Sequence, residues 1–389
     1  MAKIVFFCIP AHGHTNPTLG VVEELTQRGH SVWYYSYEPM RQKIEAAGAT
    51  FVPCESYDAE QKLTPAEIKK IGTDLALSTR VLVDTTLALD DTVCRHMARL
   101  QPDCIVADSM AVWGKAIAIK LGIPFISSTT TFAFNRHSAK IMKQSPKQML
   151  SMLVSMPEIR RHIRRLQNKG YPIKSVLDIL QNDDQTHTIV YTSPDFQPCS
   201  ETFSDKYVFV GPSIRPATQE IKKDGRPLVY ISMGSVNNDM LSLYQNCISA
   251  FSDGVYQVIL SAGERAKDFT DLPENISVLS WADQIAVLQK SDVFLSHCGM
   301  NSVNESLYFG VPLVMLPQTP EQGGVASRTQ QLGAGVLLKK TDPKSIRSAV
   351  EQVLLNTAYR ESAERISASF RLCGGANAAA DKILSLCGQ

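Results

Sequence analysis

From residue 3 onward the chain alternates short unbroken apolar runs with longer stretches in which apolar residues recur every three or four positions. The short runs suit strands buried on both faces and the longer ones suit amphipathic helices, a pattern that predicts βαβ units and parallel sheets. The first unit is the clearest. Lys3 to Ile9 is predicted as a buried strand, Ala11 to Thr15 as a loop, and Asn16 with Pro17 as the N-cap and first position of a helix ending near Arg28. Gly29 supplies the stop, and Ser31 to Ser36 forms the next strand. Further strands are predicted at Thr50 to Pro53, Asp103 to Ala107 and Pro124 to Ser128, with a helix from Met110 to Leu121 between the last two.

Between Ser138 and Asp184 the pattern turns helical and rich in Met and Arg, before strand character resumes at Ile189 to Thr192 and Tyr207 to Val210. Gly211 to Pro227 carries three prolines among polar residues and reads as a joint. After it the alternation restarts, with strands at Leu228 to Met233, Tyr256 to Ser261, Ile276 to Leu279, Val293 to Ser296 and Pro312 to Leu316. Pro343 to Leu386 is helical, with a break at Gly374-Gly375. The pattern therefore predicts two successive doubly wound α/β sheets: an N-terminal domain over 1–213, a linker over 214–227 and a C-terminal domain over 228–389. The length of 389 residues also exceeds what one core serves.

Composition narrows the classes. A hydrophobic fraction of 44% fills two cores, and 39 basic against 38 acidic residues give a net charge of +1, without global attraction to nucleic acid or anionic membrane. No apolar run approaches the roughly 18 residues of a membrane span, and the apolar stretch at Ile4 to Ile9 is too short for a secretory leader, so a cytoplasmic protein is expected. The nine cysteines are scattered without a C-x-x-C pair, which points to reduced thiols and against a zinc site.

In a doubly wound sheet ligands collect beyond the carboxyl ends of strands, where the strand order reverses. With a 3-2-1-4-5 order, His14 after the first strand and Asp108 after the fourth come together there. A histidine held by a buried carboxylate is a general-base arrangement, and the nearby helix N-terminus favours its neutral form. A plain loop histidine, with Asp108 capping the helix from Met110, is equally open at this point. In the second half, Met233-Gly234-Ser235 and Ser296-His297-Cys298-Gly299-Met300-Asn301-Ser302 end the corresponding strands. A glycine turn entering a helix suits a diphosphate, with His297, Ser302 and Ser235 as further donors, although Gly299 could equally serve only the turn. Gly333-Ala334-Gly335 lies between a helix and a strand, the wrong order for a dinucleotide fingerprint. Arg161, Arg165 and Lys169 share one helix face, which reads as solvated or, less simply, as a contact for membrane or acceptor.

The stretch from Trp281 to Gln322 resembles the sugar-donor signature of the family 1 glycosyltransferases: Trp281-Ala282-Asp283-Gln284, His297 through Ser302, Glu305-Ser306, Gly310-Val311-Pro312 and Pro320-Glu321-Gln322. Gly13-His14-Thr15-Asn16-Pro17 is similar to the acceptor-side motif of the same family, nearest its bacterial macrolide-glycosyltransferase branch, as is Gly374-Gly375-Ala376 with its alanine-rich helix. The resemblance implies a GT-B fold of two Rossmann-like domains facing across a cleft, with the last helix returning to the N-terminal domain. It implies that Trp281 stacks on the donor base beside Gln284, that Glu305 takes the ribose hydroxyls, and that His297, Gly299, Asn301, Ser302 and Ser235 surround the diphosphate. Glu321 and Gln322 match the pair that reads the sugar, His14 the catalytic base and Asp108 its partner. Two departures stand out: Asp283 replaces a frequent proline, and Gly323-Gly324 replace bulkier residues.

The expected reaction is inverting transfer of a sugar, glucose first among candidates, from a nucleotide-sugar donor, UDP-sugar first, with uracil and thymine both open as the base, to a hydroxyl of a macrolide, polyketide or phenolic acceptor, with neither metal nor cofactor. Met142, Met149, Met152, Met156, Phe132 and Phe134 are candidates for an apolar acceptor surface, or for core. A nucleotide-sugar epimerase or hydrolase, and a non-catalytic nucleotide- or lipid-binding protein, are the rivals. A nicotinamide oxidoreductase is disfavoured because no glycine-rich turn follows the first strand.

Overall fold

A computed structural model describes every residue except 55–62, 69–73, 136, 139–145, 176–177, 179–181, 183, 236–237 and 389. Seven strands, β1 (Lys3–Phe7), β2 (Ser31–Ser36), β3 (Thr50–Pro53), β4 (Cys104–Asp108), β5 (Phe125–Thr129), β6 (His187–Val190) and β7 (Tyr207–Phe209), form one parallel sheet in the order β3-β2-β1-β4-β5-β6-β7. Six more, β8 (Leu228–Ser232), β9 (Gln257–Ser261), β10 (Ile276–Leu279), β11 (Val293–Ser296), β12 (Leu313–Met315) and β13 (Gly335–Leu337), form a second in the order β10-β9-β8-β11-β12-β13. Strand order thus reverses between β1 and β4 in one sheet, and between β8 and β11 in the other.

The unbroken apolar runs are explained by burial on both faces. In β1, Val5 and Phe7 join the core on one side with Ile105, Ala107, Trp113 and Ile117, while Ile4 and Phe6 join the other with Val106, Leu19, Val22 and Leu25. The register sets Phe7 opposite both Tyr35 and Ala107, and the Phe7 and Tyr35 rings stack at 4.6 Å.

Contacts divide the chain into two compact units. Met1–Tyr191, Cys199–Val210 and Ala376–Gln389 make the first; Thr192–Pro198 and Gly211–Gly375 make the second. The chain's last helix, Gly375–Leu386, therefore counts almost wholly with the first unit, where Ala379, Ala380 and Ile383 are fully buried beside Phe6 and Leu25. Arg28 binds Asp381 at 2.5 Å and Asn377 at 2.8 Å on its rim. Gly374 and Gly375 both have positive φ, which ends the preceding helix and turns the chain. The short segment Thr192–Pro198 is held in the second unit by Arg328, which donates to the carbonyls of Asp195 and Phe196 at 2.7 and 2.9 Å, and by an edge-on contact of Phe196 with Phe370. Residues 214–227 contain neither helix nor strand and count with the second unit.

One boundary differs from expectation in a way that matters for the site. The first helix is His12–Gln27 with Ala11 as N-cap, so Pro17 lies inside it rather than at its start. The His14 and Thr15 amides both bond to the Ala11 carbonyl, closing the first turn five residues upstream of Pro17. Proline there removes one later backbone bond, and Thr15, Pro17, Leu19 and Val22 are buried in compensation. His14 is consequently a first-turn helix residue, not a loop residue ahead of a helix.

Candidate functional site

In the first unit the strand order brings the carboxyl ends of β1, β4 and β5 side by side, with Phe7 opposite Ala107 and Asp108 opposite Ser128. His14 follows β1, Asp108 ends β4 and Thr130 follows β5. His14 Nδ1 lies 2.7 Å from Asp108 Oδ2 across 94 positions of sequence. The Asp108 side chain is fully buried and that of His14 is 20% exposed. The other carboxylate oxygen, Oδ1, accepts the Met110 amide at 2.8 Å. Asp108 thus ties down the turn ahead of the next helix and holds the histidine at once; that helix, Val112–Leu121, starts at Ala111 with no side-chain cap, so Asp108 is not its cap and the expected start at Met110 lies two residues early.

A proton on Nδ1 that faces the carboxylate places the accepting lone pair on Nε2. Thr130 Oγ1 stands 2.9 Å from the same Nδ1. Sequence reasoning missed Thr130; the signal available was its place just past the strand that follows β4 in sheet order. His12 points elsewhere, with Nδ1 3.4 Å from Lys43 Nζ, and burial first, then the Lys43 charge, keeps it below the usual histidine range.

In the second unit the ends of β8 and β11 supply the corresponding place. The His297 ring lies between Gly234 and Gly299, where a Cβ would stand 2.7 Å and 2.6 Å from its atoms. Burial lowers its pKa, favouring the neutral imidazole. Cys298 adopts φ +65°, a strained value for a non-glycine residue, and is held by its amide bond to Ser296 Oγ at 3.1 Å. The helix Met300–Tyr308 then starts at Gly299 without a side-chain cap, so its first-turn amides point outward unmatched by any side chain of that cap. Ser235 follows Gly234 and is exposed.

Asn301, Ser302, Glu305 and Gln284 form one network. Asn301 Nδ2 donates to Glu305 Oε1 at 2.7 Å, Gln284 Nε2 donates to Glu305 Oε2 and to Ser302 Oγ, the latter at 3.3 Å, and Tyr230 donates to Gln284 Oε1 at 3.4 Å. Trp281 lies on the loop after β10, three residues before Gln284, and is 61% exposed. Glu321 and Gln322 follow the next strand, β12. Gln322 Oε1 is engaged in a capping box with Thr319 and also accepts the Gln318 amide at 2.8 Å, which leaves its amide NH2 as the group able to turn outward.

Gly323 and Gly324 sit in the helix Pro320–Gln331, and a Cβ on either meets nothing within 4 Å. Gly324→Ala is therefore expected to raise stability by about 0.5–1 kcal/mol, read as a shifted urea midpoint with unchanged slope.

The apolar acceptor candidates are less united. Phe134 is 41% exposed, Phe132 is buried, and Met156 packs against the core of the first unit. Met142 lies outside the described residues, and the side chains of Met149 and Met152 are not described. On the same helix Arg165 pairs with Asp84 at 2.7 Å, while Arg160, Arg161, Arg164 and Lys169 are exposed. All nine cysteines are free thiols. Among the described residues no helix is long and apolar enough to cross a membrane, and no cluster of three or more His, Cys, Asp or Glu is placed to hold a metal.

Two doubly wound parallel sheets, each carrying ligand-type chemistry beyond the strands where its order reverses, define the GT-B class of fold. Comparison with known proteins carries this further. Residues 247–371 match the model of the erythromycin biosynthesis protein CIII-like C-terminal domain. The chain is 32% identical to the uncharacterized UDP-glucosyltransferase YojK of Bacillus subtilis (strain 168), over 99% of this chain and 97% of that one. It is 31% identical to the demethyllactenocin mycarosyltransferase of Streptomyces fradiae, over 99% and 87%. The crystal structure of the glycotransferase of kitacinnamycin superposes with a TM-score of 0.84 at 25% identity, covering 99% of this chain and 98% of that one. The chain belongs to the family 1 GT-B glycosyltransferases.

Proposed function

We propose that this glycosyltransferase moves a sugar, glucose in the first instance, from a UDP-sugar to a hydroxyl of a hydrophobic natural-product acceptor of macrolide, polyketide or phenolic type. The observation that carries the reading is the 2.7 Å contact between His14 Nδ1 and a fully buried Asp108 carboxylate. His14 Nε2 takes the acceptor's hydroxyl proton as the oxygen attacks the anomeric carbon, and Asp108 balances the imidazolium that forms. Attack from the face opposite the leaving group inverts the configuration. Thr130 gives Nδ1 a second neighbour and helps fix the ring plane.

On the donor side, Trp281 offers a flat apolar face to the base, Gln284 its edge, and Glu305 a carboxylate to the ribose hydroxyls. Glu305 exchanges its present bonds to Asn301 and Gln284 for those hydroxyls. Negative charge that builds on the departing diphosphate meets the uncapped helix N-terminus at Asn301 and Ser302, with His297 and Ser235 as further donors. These donors allow the reaction to proceed without a metal ion or other cofactor. Glu321 and the Gln322 amide read the sugar hydroxyls.

The name of YojK, a UDP-glucosyltransferase, supports the donor, and that of the demethyllactenocin mycarosyltransferase supports transfer to a small molecule; both are names of transferases rather than of epimerases, hydrolases or binding proteins. Incubating the chain with UDP-glucose, with and without a phenolic acceptor, is expected to give a product heavier than the acceptor by one hexose unit, seen by mass spectrometry only when both are present. Release of free glucose alone, across UDP- and TDP-sugars and pooled acceptors, would sink the reading.

A further inference from the structure

Asp283 stands in sequence between Trp281 and Gln284, the indole and the amide proposed for the donor base. Its carboxylate is 7% exposed as a residue and fully committed. Oδ1 accepts the Ala286 amide at 3.2 Å and so caps the helix Gln284–Leu288. Oδ2 accepts both the amide and the hydroxyl of Thr218, each at 2.6 Å. Thr218 itself is exposed and belongs to the stretch 214–227 that has no helix or strand. Burial pushes the carboxyl pKa upward, but the bonds from Thr218 and Ala286 outweigh it and hold the group below its usual range, so it is an anion at neutral pH. Charge-assisted bonds of this length are the strong kind. One side chain thus joins the irregular stretch to the loop that bears Trp281 and to the helix that bears Gln284.

We propose that Asp283 is a positioning residue for the donor base: by strapping Thr218 to the start of the helix Gln284–Leu288 it holds Trp281 and Gln284 at the spacing the base requires. The proposal rests on the assignment of Trp281 and Gln284 to the base. A structural cap alone needs one oxygen, and here the second oxygen serves a different segment. The backbone at Asp283 has φ −66°, which proline adopts without strain. Asp283→Pro therefore keeps this torsion and removes both carboxylate contacts, and Thr218→Val removes only the hydroxyl's bond from an exposed residue.

The test is calorimetric titration of the full chain with UDP and, separately, with inorganic pyrophosphate, which has no base. Asp283→Pro is expected to weaken UDP about tenfold and Thr218→Val about threefold, with pyrophosphate unchanged for both. Unaltered UDP affinity in both variants overturns the proposal. So does a parallel loss of UDP and pyrophosphate in both, because that marks a general loosening of the unit. If the parent chain binds neither UDP nor TDP, the donor assignment itself falls and takes the strap's role with it.

Discussion

The His14→Ala chain is expected to bind UDP as the parent does and to lose roughly 10²- to 10⁴-fold in kcat, the range that a positioned general base supplies. The separation follows from placement: His14 lies in the first unit, in the first turn of the helix after β1, whereas the residues proposed for base, ribose and diphosphate all lie in the second. Asp108→Asn sharpens the test. Asparagine can keep an oxygen toward the Met110 amide, now bonded at 2.8 Å, and so preserve that turn. Its NH2 then faces Nδ1, which must turn acceptor, and the ring proton moves to Nε2, where it blocks base action. Turnover is expected to fall nearly as far as in His14→Ala, and the double variant should be no slower than the worse single one, since the two act as a unit. Steady-state rates with an excess acceptor settle the matter; turnover within a few-fold of the parent in His14→Ala removes the base from the mechanism.

The second large effect belongs to the glycines around His297. Gly299→Ala puts a methyl 2.6 Å from His297 Nε2, and Gly234→Ala puts one 2.7 Å from the ring. Neither distance is tolerable, so the ring or the backbone of the turn must move. At Gly234 the backbone adds a further cost of about 1–2 kcal/mol, because φ +79° is disfavoured for a residue with a Cβ. Each variant is expected to lose roughly 1–3 kcal/mol of unfolding free energy and at least about tenfold in UDP affinity. Urea unfolding and titration report the two quantities separately. Gly323→Ala is the control, since its methyl meets nothing within 4 Å and should leave UDP affinity in place. Unchanged UDP binding in Gly299→Ala would mean that His297 and its turn do not hold the diphosphate.

Much of this was legible in the chain. The strands were readable because a parallel sheet covered on both faces needs unbroken apolar runs, and the expected runs at Ser31 to Ser36, Thr50 to Pro53, Ile276 to Leu279 and Val293 to Ser296 coincide with the observed strands. The first helix was placed too late because Asn16-Pro17 is a locally sound start signal. Burial of Thr15 and Leu19 and the bonds to the Ala11 carbonyl outweighed it, and propensity has no term for either. The return of the final helix to the first unit came from the resemblance; the physical reason lies in an apolar stripe of Ala379, Ala380 and Ile383 that finds its complement on the far side of β1.

The sequence by itself determined the two-sheet architecture, the family, and the order of chemically apt residues after each strand, because these depend on local periodicity and on motifs confined to short stretches. Only the tertiary structure decided which of those residues meet. His14 and Asp108 converge because β1 and β4 are hydrogen-bonded neighbours, and Thr130 joins them because β5 lies next in line, an adjacency that spacing along the chain does not encode. The same holds for Asp283, which in sequence is only a departure from proline. Folding brings Thr218 from 65 positions away against its carboxylate, and a buried anion must find such donors or forfeit its charge.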